Sequence, residues 1–140
     1  MRFWDTSAIV PSFLEESTSP EIRLLLAGDP EMAVWWATRV ECLSAIARRE
    51  RTGELGPDES SRALAALAEL VSVWVEVPPT EPVRDRARTI VRIHDVRTGD
   101  AFQLAAALVA ADEDPETLPL VTLDDRLALA ARRAGFPVLP

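Results

Sequence analysis

Short, uninterrupted apolar runs, each about the length of a strand and mostly followed by a stretch of helical periodicity, constrain this chain more than any other feature. Arg2-Phe3-Trp4, Ala33-Val34-Trp35-Trp36, Leu120-Val121-Thr122 and Phe136-Pro137-Val138-Leu139 read as such strands. Their apolar residues are consecutive rather than alternating, the pattern of strands covered on both faces. Alternation of such strands with helices predicts an α/β domain, a three-layer α/β/α sandwich with a mainly parallel central sheet. At 140 residues the chain suffices for one such domain, spanning 1–140, and no linker, repeat or low-complexity tract divides it.

Helices are expected from Ser7 to Leu14, from Pro20 to about Ala27, and from Thr38 with Val40, Leu43 and Ala47 as an inward stripe. Pro57 suits the first position of another helix, whose Leu64, Leu67, Ala68 and Val71 recur at helical spacing. The run Val73 to Val77 fits either a strand or the end of that helix. From about Pro82 to His94, Val83, Ala87, Ile90 and Val91 share a face. The segment opened by Asp100 is apolar on nearly every side, which in a water-soluble chain marks a centrally buried helix. A last helix runs from Asp124 to Ala134 and stops at Gly135.

In a parallel sheet of this kind, ligands bind beyond the carboxyl ends of the strands. Asp5 follows the first strand, Glu41 lies one turn into the helix after Trp35-Trp36, Asp100 opens the buried helix, and Asp124 follows Leu120-Val121-Thr122. Each has a purely structural explanation. Asp5 and Asp124 suit helix N-caps, Thr38 and Glu41 fit the capping-box spacing, and Asp100 suits a helix first turn. Together they are harder to dismiss, because carboxylates converging on one sheet edge repel one another unless a cation lies among them. An oxygen-only donor set selects Mg²⁺ or Mn²⁺, and such an ion suits phosphodiester hydrolysis. Thr6, Ser7 and Thr122 place hydroxyls beside these acids.

Composition narrows the alternatives. The chain has no Lys, so all 15 cationic side chains are Arg, which removes phosphate-loop and Schiff-base chemistry. One His leaves no multi-His zinc site. A net charge of −8 argues against coating nucleic acid by bulk electrostatics, so any nucleic acid must be met locally. The single Cys42 suits a reducing compartment, and no apolar run is long enough to span a bilayer; the expectation is a cytoplasmic protein without membrane attachment.

The segments Phe3-Trp4-Asp5-Thr6-Ser7-Ala8-Ile9, Val40-Glu41-Cys42-Leu43-Ser44-Ala45-Ile46, Gly99-Asp100-Ala101-Phe102-Gln103-Leu104-Ala105-Ala106-Ala107 and Val121-Thr122-Leu123-Asp124-Asp125-Arg126-Leu127 resemble the PIN-domain ribonucleases. More narrowly, the chain resembles the VapC toxins of type II toxin–antitoxin pairs. The resemblance covers essentially the whole chain. It implies an endoribonuclease dependent on Mg²⁺ or Mn²⁺, an RNA substrate, a homodimer, and a cognate antitoxin whose C-terminal segment occupies the active-site groove. Carried over by position, Asp5, Glu41, Asp100 and Asp124 are the catalytic and metal-holding acids and Thr122 the hydroxyl beside the fourth; Thr6, beside Asp5, is a further supporting candidate. Thr-x-Asp spacing favours Asp124 over Asp125 as the motif acid. Arg39, Arg97 and Arg126 flank the acids as candidate phosphate contacts, with solvated surface as the alternative. Trp4, Trp35 and Trp36 are bulkier than the aliphatics expected in these strands; they suit narrowing the groove, stacking on a base or filling core, and core is the preferred reading. Two other readings compete: a catalytically silent PIN-like interaction module, and a haloacid-dehalogenase-like phosphatase, which wants a second Asp where this chain has Ser7.

Overall fold

The computed structural model describes residues 1–140. In chain order the elements are β1 (Arg2–Trp4), α1 (Thr6–Phe13), α2 (Ser19–Gly28), β2 (Met32–Trp35), α3 (Thr38–Arg51), α4 (Pro57–Val71), β3 (Val75–Val77), α5 (Glu81–Ile93), α6 (Thr98–Ala110), a 3₁₀ turn at Pro115–Thr117, β4 (Leu120–Val121), α7 (Asp125–Arg133) and β5 (Val138–Leu139). The five strands lie in the order β3-β2-β1-β4-β5 and every pairing is parallel. The register sets Phe3 beside Ala33 on one side and Leu120 on the other.

The pleat sends successive strand residues to opposite faces, and both faces are covered. Phe3, Ala33, Trp35 and Leu120 enter a core with α5, α6 and α7, including Val83, Ile90, Leu104 and Leu127. Trp4, Met32, Val34 and Val121 enter a second core with α1 to α4, including Ile9, Ile22, Ile46 and Leu67. The three-layer sandwich with a parallel sheet is therefore the observed architecture. Strands buried on both faces have no polar face to display, which is why they read as unbroken apolar runs. The ambiguous run Val73 to Val77 resolves as strand: α4 has already ended at Val71, and β3 takes Val75–Val77 at the sheet edge.

Several helix faces differ from the periodicity. The buried row of α3 is Thr38, Cys42, Ala45 and Ile46, whereas Val40 and Leu43 are exposed. Both rows carry apolar residues, and the sheet selects the one that brings Cys42 and Ile46 against Val34 and Ile9. On α4 the inward residues are Ser60, Ala63 and Leu67, leaving Leu64 and Ala68 outside. Val91 of α5 is likewise exposed, while Val83, Ala87 and Ile90 are buried. Trp4 and Trp35 fill core as expected, but Trp36 does not: one residue beyond β2, it is 54% exposed. The central helix is α6, whose Ala101, Leu104, Ala105, Ala106 and Ala107 are all fully buried. Its run of alanines allows close approach to the sheet and to α5.

The sheet order has one functional consequence. The chain leaves β1 towards β2 and leaves β4 towards β5, so the connections diverge between β1 and β4. That is the topological switch point, where the carboxyl ends of a parallel sheet open a crevice.

Candidate active site

Asp5 and Thr122 stand at this crevice, immediately after β1 and β4. Thr122 Oγ1 donates to Asp5 Oδ2 at 2.9 Å, closing the gap between the diverging connections. Ser7 adds two bonds to the same oxygen, from its hydroxyl at 2.5 Å and its backbone N–H at 3.2 Å. The Ser7 hydroxyl also accepts from Leu123 N–H at 2.9 Å, and Thr122 Oγ1 accepts from Asp124 N–H at 3.1 Å. The phosphatase reading is therefore disfavoured at its key position, because residue 7 is a hydroxyl that locks Asp5 in place rather than a second acid.

Asp5 is 6% exposed, and burial pushes its carboxyl up from 3.8 to about 6. The Ser7 and Thr122 hydrogen bonds oppose that rise, and the charge of Glu41 adds to it. Glu41 is thus close enough to press on Asp5 electrostatically. Its own position answers one structural explanation. The N-cap of α3 is Ala37 without a side-chain cap, so Thr38 and Glu41 form no capping box. Instead, Glu41 Oε2 accepts the Thr6 hydroxyl and the Gln103 Nε2–H, the latter at 2.9 Å.

The other acids do cap helices. Asp5 and Asp124 are the N-caps of α1 and α7, Asp124 Oδ1 accepting from Leu127 N–H at 2.8 Å. Asp100 Oδ2 accepts from Arg97 N–H at 3.1 Å in the first turn of α6. The Asp100 carboxyl is raised chiefly by partial burial, against the Arg97 backbone hydrogen bond, and further by the charge of Asp124. Arg97 and Arg126 lie near enough to lower it again. Capping and site chemistry are compatible, because each acid is held by one oxygen only. Asp5 Oδ2, Glu41 Oε2, Asp100 Oδ2 and Asp124 Oδ1 accept every protein hydrogen bond the four acids receive, and the second oxygen of each accepts none.

That arrangement fits a hard divalent cation by donor chemistry: oriented carboxylates at helix N-termini, each with an uncommitted oxygen. It is not a closed cage. No three acidic, Cys or His side chains gather at metal-holding distances, and the acids stand as the pairs Asp5–Glu41 and Asp100–Asp124. One or two carboxylates with water and substrate phosphate completing the shell is the usual Mg²⁺ pattern.

A cleft of about 410 Å³ runs from Glu41 between α1 and α3, lined by Thr6, Ser7, Val10, Glu16, Glu41, Ser44, Ala45, Arg48 and Leu123. Arg48 stands seven residues after Glu41 on α3, roughly 10.5 Å along the helix axis, and is in no ion pair within 4.0 Å. Sequence reasoning missed this residue, although Glu41, Ser44 and Arg48 share a helical row. Arg97 and Arg126 are exposed beside Asp100, whereas Arg39 is exposed and neither lines the cleft nor acts on Asp100. Asp125 points to solvent and accepts no hydrogen bond; Asp124 is the acid engaged beside Thr122, as the spacing indicates. Cys42, next to Glu41, is fully buried, and burial with the nearby acids pushes its thiol up to about 12.

Gln103 is the second residue that sequence reasoning passed over. One turn after Asp100 and 2% exposed, it reaches across from α6 to Glu41, to Thr6 Oγ1 at 3.2 Å and to Thr38 Oγ1 at 3.4 Å. Its only signal was a lone amide in an otherwise apolar buried helix. Such a group needs a partner, since an unsatisfied buried polar atom costs about 1–3 kcal/mol.

A family model of the PIN domain matches residues 2–133. Among solved structures, a toxin–antitoxin complex from Klebsiella pneumoniae contains a chain of similar fold, with TM-score 0.66 and 18% identity over 100% of this chain and 97% of that one. No curated protein sequence matches it significantly.

Proposed function

The chain belongs to the PIN domain family, and from that premise we propose that it is a divalent-metal-dependent endoribonuclease, the toxin of a toxin–antitoxin pair. The observation that carries the reading is the set of acids at the switch point, each held by one oxygen with the other free. In this reading Asp5, Glu41, Asp100 and Asp124, standing as two pairs, would hold one or two Mg²⁺ or Mn²⁺ ions. When bound there, such a cation would supply Lewis acidity to the phosphodiester and a lowered pKa to its water.

The chain's own residues do the rest. Ser7 and Thr122 fix the Asp5 carboxylate, and Thr6 fixes that of Glu41, so neither must reorient during the reaction. Arg48 grips a phosphate of the strand within the cleft, and Arg97 and Arg126 do so on the Asp100 side, each as a planar fork. These local cations matter in a chain of net charge −8, which otherwise repels RNA. Arg39, which neither lines the cleft nor acts on Asp100, is not assigned this role.

The antitoxin partner is supported by the likeness to a chain of the Klebsiella pneumoniae toxin–antitoxin complex. The homodimer rests on the family resemblance. No helix is long and apolar enough to cross a membrane.

Expression in a bacterial host tests the proposal. The wild-type chain should arrest growth and leave discrete fragments of cellular RNA, and Glu41→Gln, expressed at the same level, should do neither. Unimpaired growth with intact RNA in cells full of folded wild-type protein would refute the toxin reading.

A further inference from the structure

Gln103 belongs to no motif acid, yet it is the point at which three elements of the site meet. Its amide Nε2 is within hydrogen-bond distance of Glu41 Oε2 on α3, Thr6 Oγ1 on α1 and Thr38 Oγ1 at the start of α3. Its Oε1 is buried without any partner. The two ends of the amide are not equivalent here. An ionised Glu41 accepts and cannot donate, so it admits only the nitrogen end. The Thr6 hydroxyl proton is also committed to Glu41 Oε2, so Thr6 offers Gln103 only a lone pair. All the polarity in this contact runs towards Glu41, and the carbonyl is left unsatisfied for it. A side chain selected for packing alone would be apolar at this position, like its buried neighbours Leu104 and Ala107.

We infer that Gln103 is a positioning residue for the metal site: its amide, together with the Thr6 hydroxyl, clamps Glu41 Oε2 so that Oε1 is presented to a divalent cation. The role rests on the metal-dependent reading of the site. Partners that orient ligating carboxylates typically alter metal affinity about 10–100-fold when removed. The clamp also links the two acid pairs mechanically, because Gln103 lies on the same helix as Asp100, one turn further on.

Gln103→Met tests the role, since Met conserves volume and removes both the donor and the orphan carbonyl. Packing and positioning then predict opposite signs. The clamp predicts a melting temperature equal to or above that of wild type in EDTA, with Mn²⁺ binding, read by calorimetry on RNA-free protein, weakened about tenfold. Thr6→Val should weaken Mn²⁺ similarly, and the double variant should fall short of the product of the two effects, because both act through one oxygen. Mn²⁺ affinity within twofold of wild type in a folded Gln103→Met protein would overturn the inference, as would a double variant whose effects simply multiply. Should Gln103→Met fail to fold, the metal clamp is refuted in favour of a structural role unless Thr6→Val and Gln103→Leu both reproduce the loss of Mn²⁺ binding. If the wild-type chain itself binds no Mn²⁺, the metal reading falls and takes this role with it; equal binding by wild type and variant removes the role of Gln103 alone.

Discussion

Replacing Asp5 with Asn should make the metal-free protein more stable at neutral pH while abolishing its function. The folded state holds the Asp5 carboxyl at about 6 against an ordinary 3.8, chiefly by burial. At 1.36 kcal/mol per pH unit, keeping it ionised in the fold costs about 3 kcal/mol. The sign follows from proton counts. Between about pH 4 and 6 the native state binds more protons than the unfolded one, so stability is greatest below this window. It falls as pH rises through it and stays reduced above 6. Asn avoids this penalty, keeps a carbonyl oxygen for the Ser7 and Thr122 bonds, and is as good an N-cap as Asp for α1. Urea unfolding in EDTA at pH 8 should therefore show Asp5→Asn more stable by up to about 3 kcal/mol, or about 10 °C in melting temperature. Near pH 4 the gap should close. Saturating Mn²⁺ should stabilise wild type by about 2.7 kcal/mol at a hundredfold excess over Kd and leave the variant almost unmoved. An Asp5→Asn protein less stable than wild type in EDTA at pH 8 would refute the reasoning, because Asp5 would then be a structural cap whose charge the fold favours.

Other perturbations probe other links. Arg48→Ala should weaken binding of single-stranded RNA to the metal-loaded protein and lower the slope of log K against log salt by about one, whereas Arg39→Ala should leave that slope unchanged, as filter binding at several ionic strengths would show. Cys42, its thiol pushed up to about 12 within the core, should resist iodoacetamide in the native protein and react once unfolded, which mass spectrometry would detect. Gly135 ends α7 at φ +98°, and a Cβ there would stand 3.0 Å from Pro115. Gly135→Ala should therefore destabilise by about 1–2 kcal/mol in urea titration without changing metal affinity.

The fold class was legible because strands buried on both faces leave no polar alternation, and Phe3-Trp4, Val34-Trp35 and Leu120-Val121 carry that signature undisguised. The rotation of individual helices was not. On α3, Val40 and Leu43 compete with Cys42 and Ile46 for the inward face, and only contact with the sheet decides between them. Trp36 was misassigned for a related reason: it continues the apolar run of β2 but lies just past the strand end, where no helix covers it. Asp5, Glu41 and Asp124 were legible as positions following strands, and Asp100 as the opening of the buried helix. Their arrangement as two pairs, each acid held by one oxygen, depends on Thr6, Ser7, Thr122 and Gln103 meeting from three segments. No local pattern announces such a meeting. Arg48 was hidden for the same reason, since a surface Arg on an Arg-rich helix is distinguished only by the cleft it lines.

The proposed role of the acids at the switch point is to make this chain a metal-dependent ribonuclease. Its most direct test is gel-resolved cleavage of a panel of transfer RNA, ribosomal RNA fragments and single-stranded oligonucleotides by purified protein in Mn²⁺, Mg²⁺ or EDTA, with Asp5→Asn alongside. Cleavage of at least one RNA is expected with either cation, none in EDTA, and a rate lower by about 10²-fold or more in the variant. Cleavage that persists in EDTA, or that a folded Asp5→Asn protein performs at the wild-type rate, would contradict it.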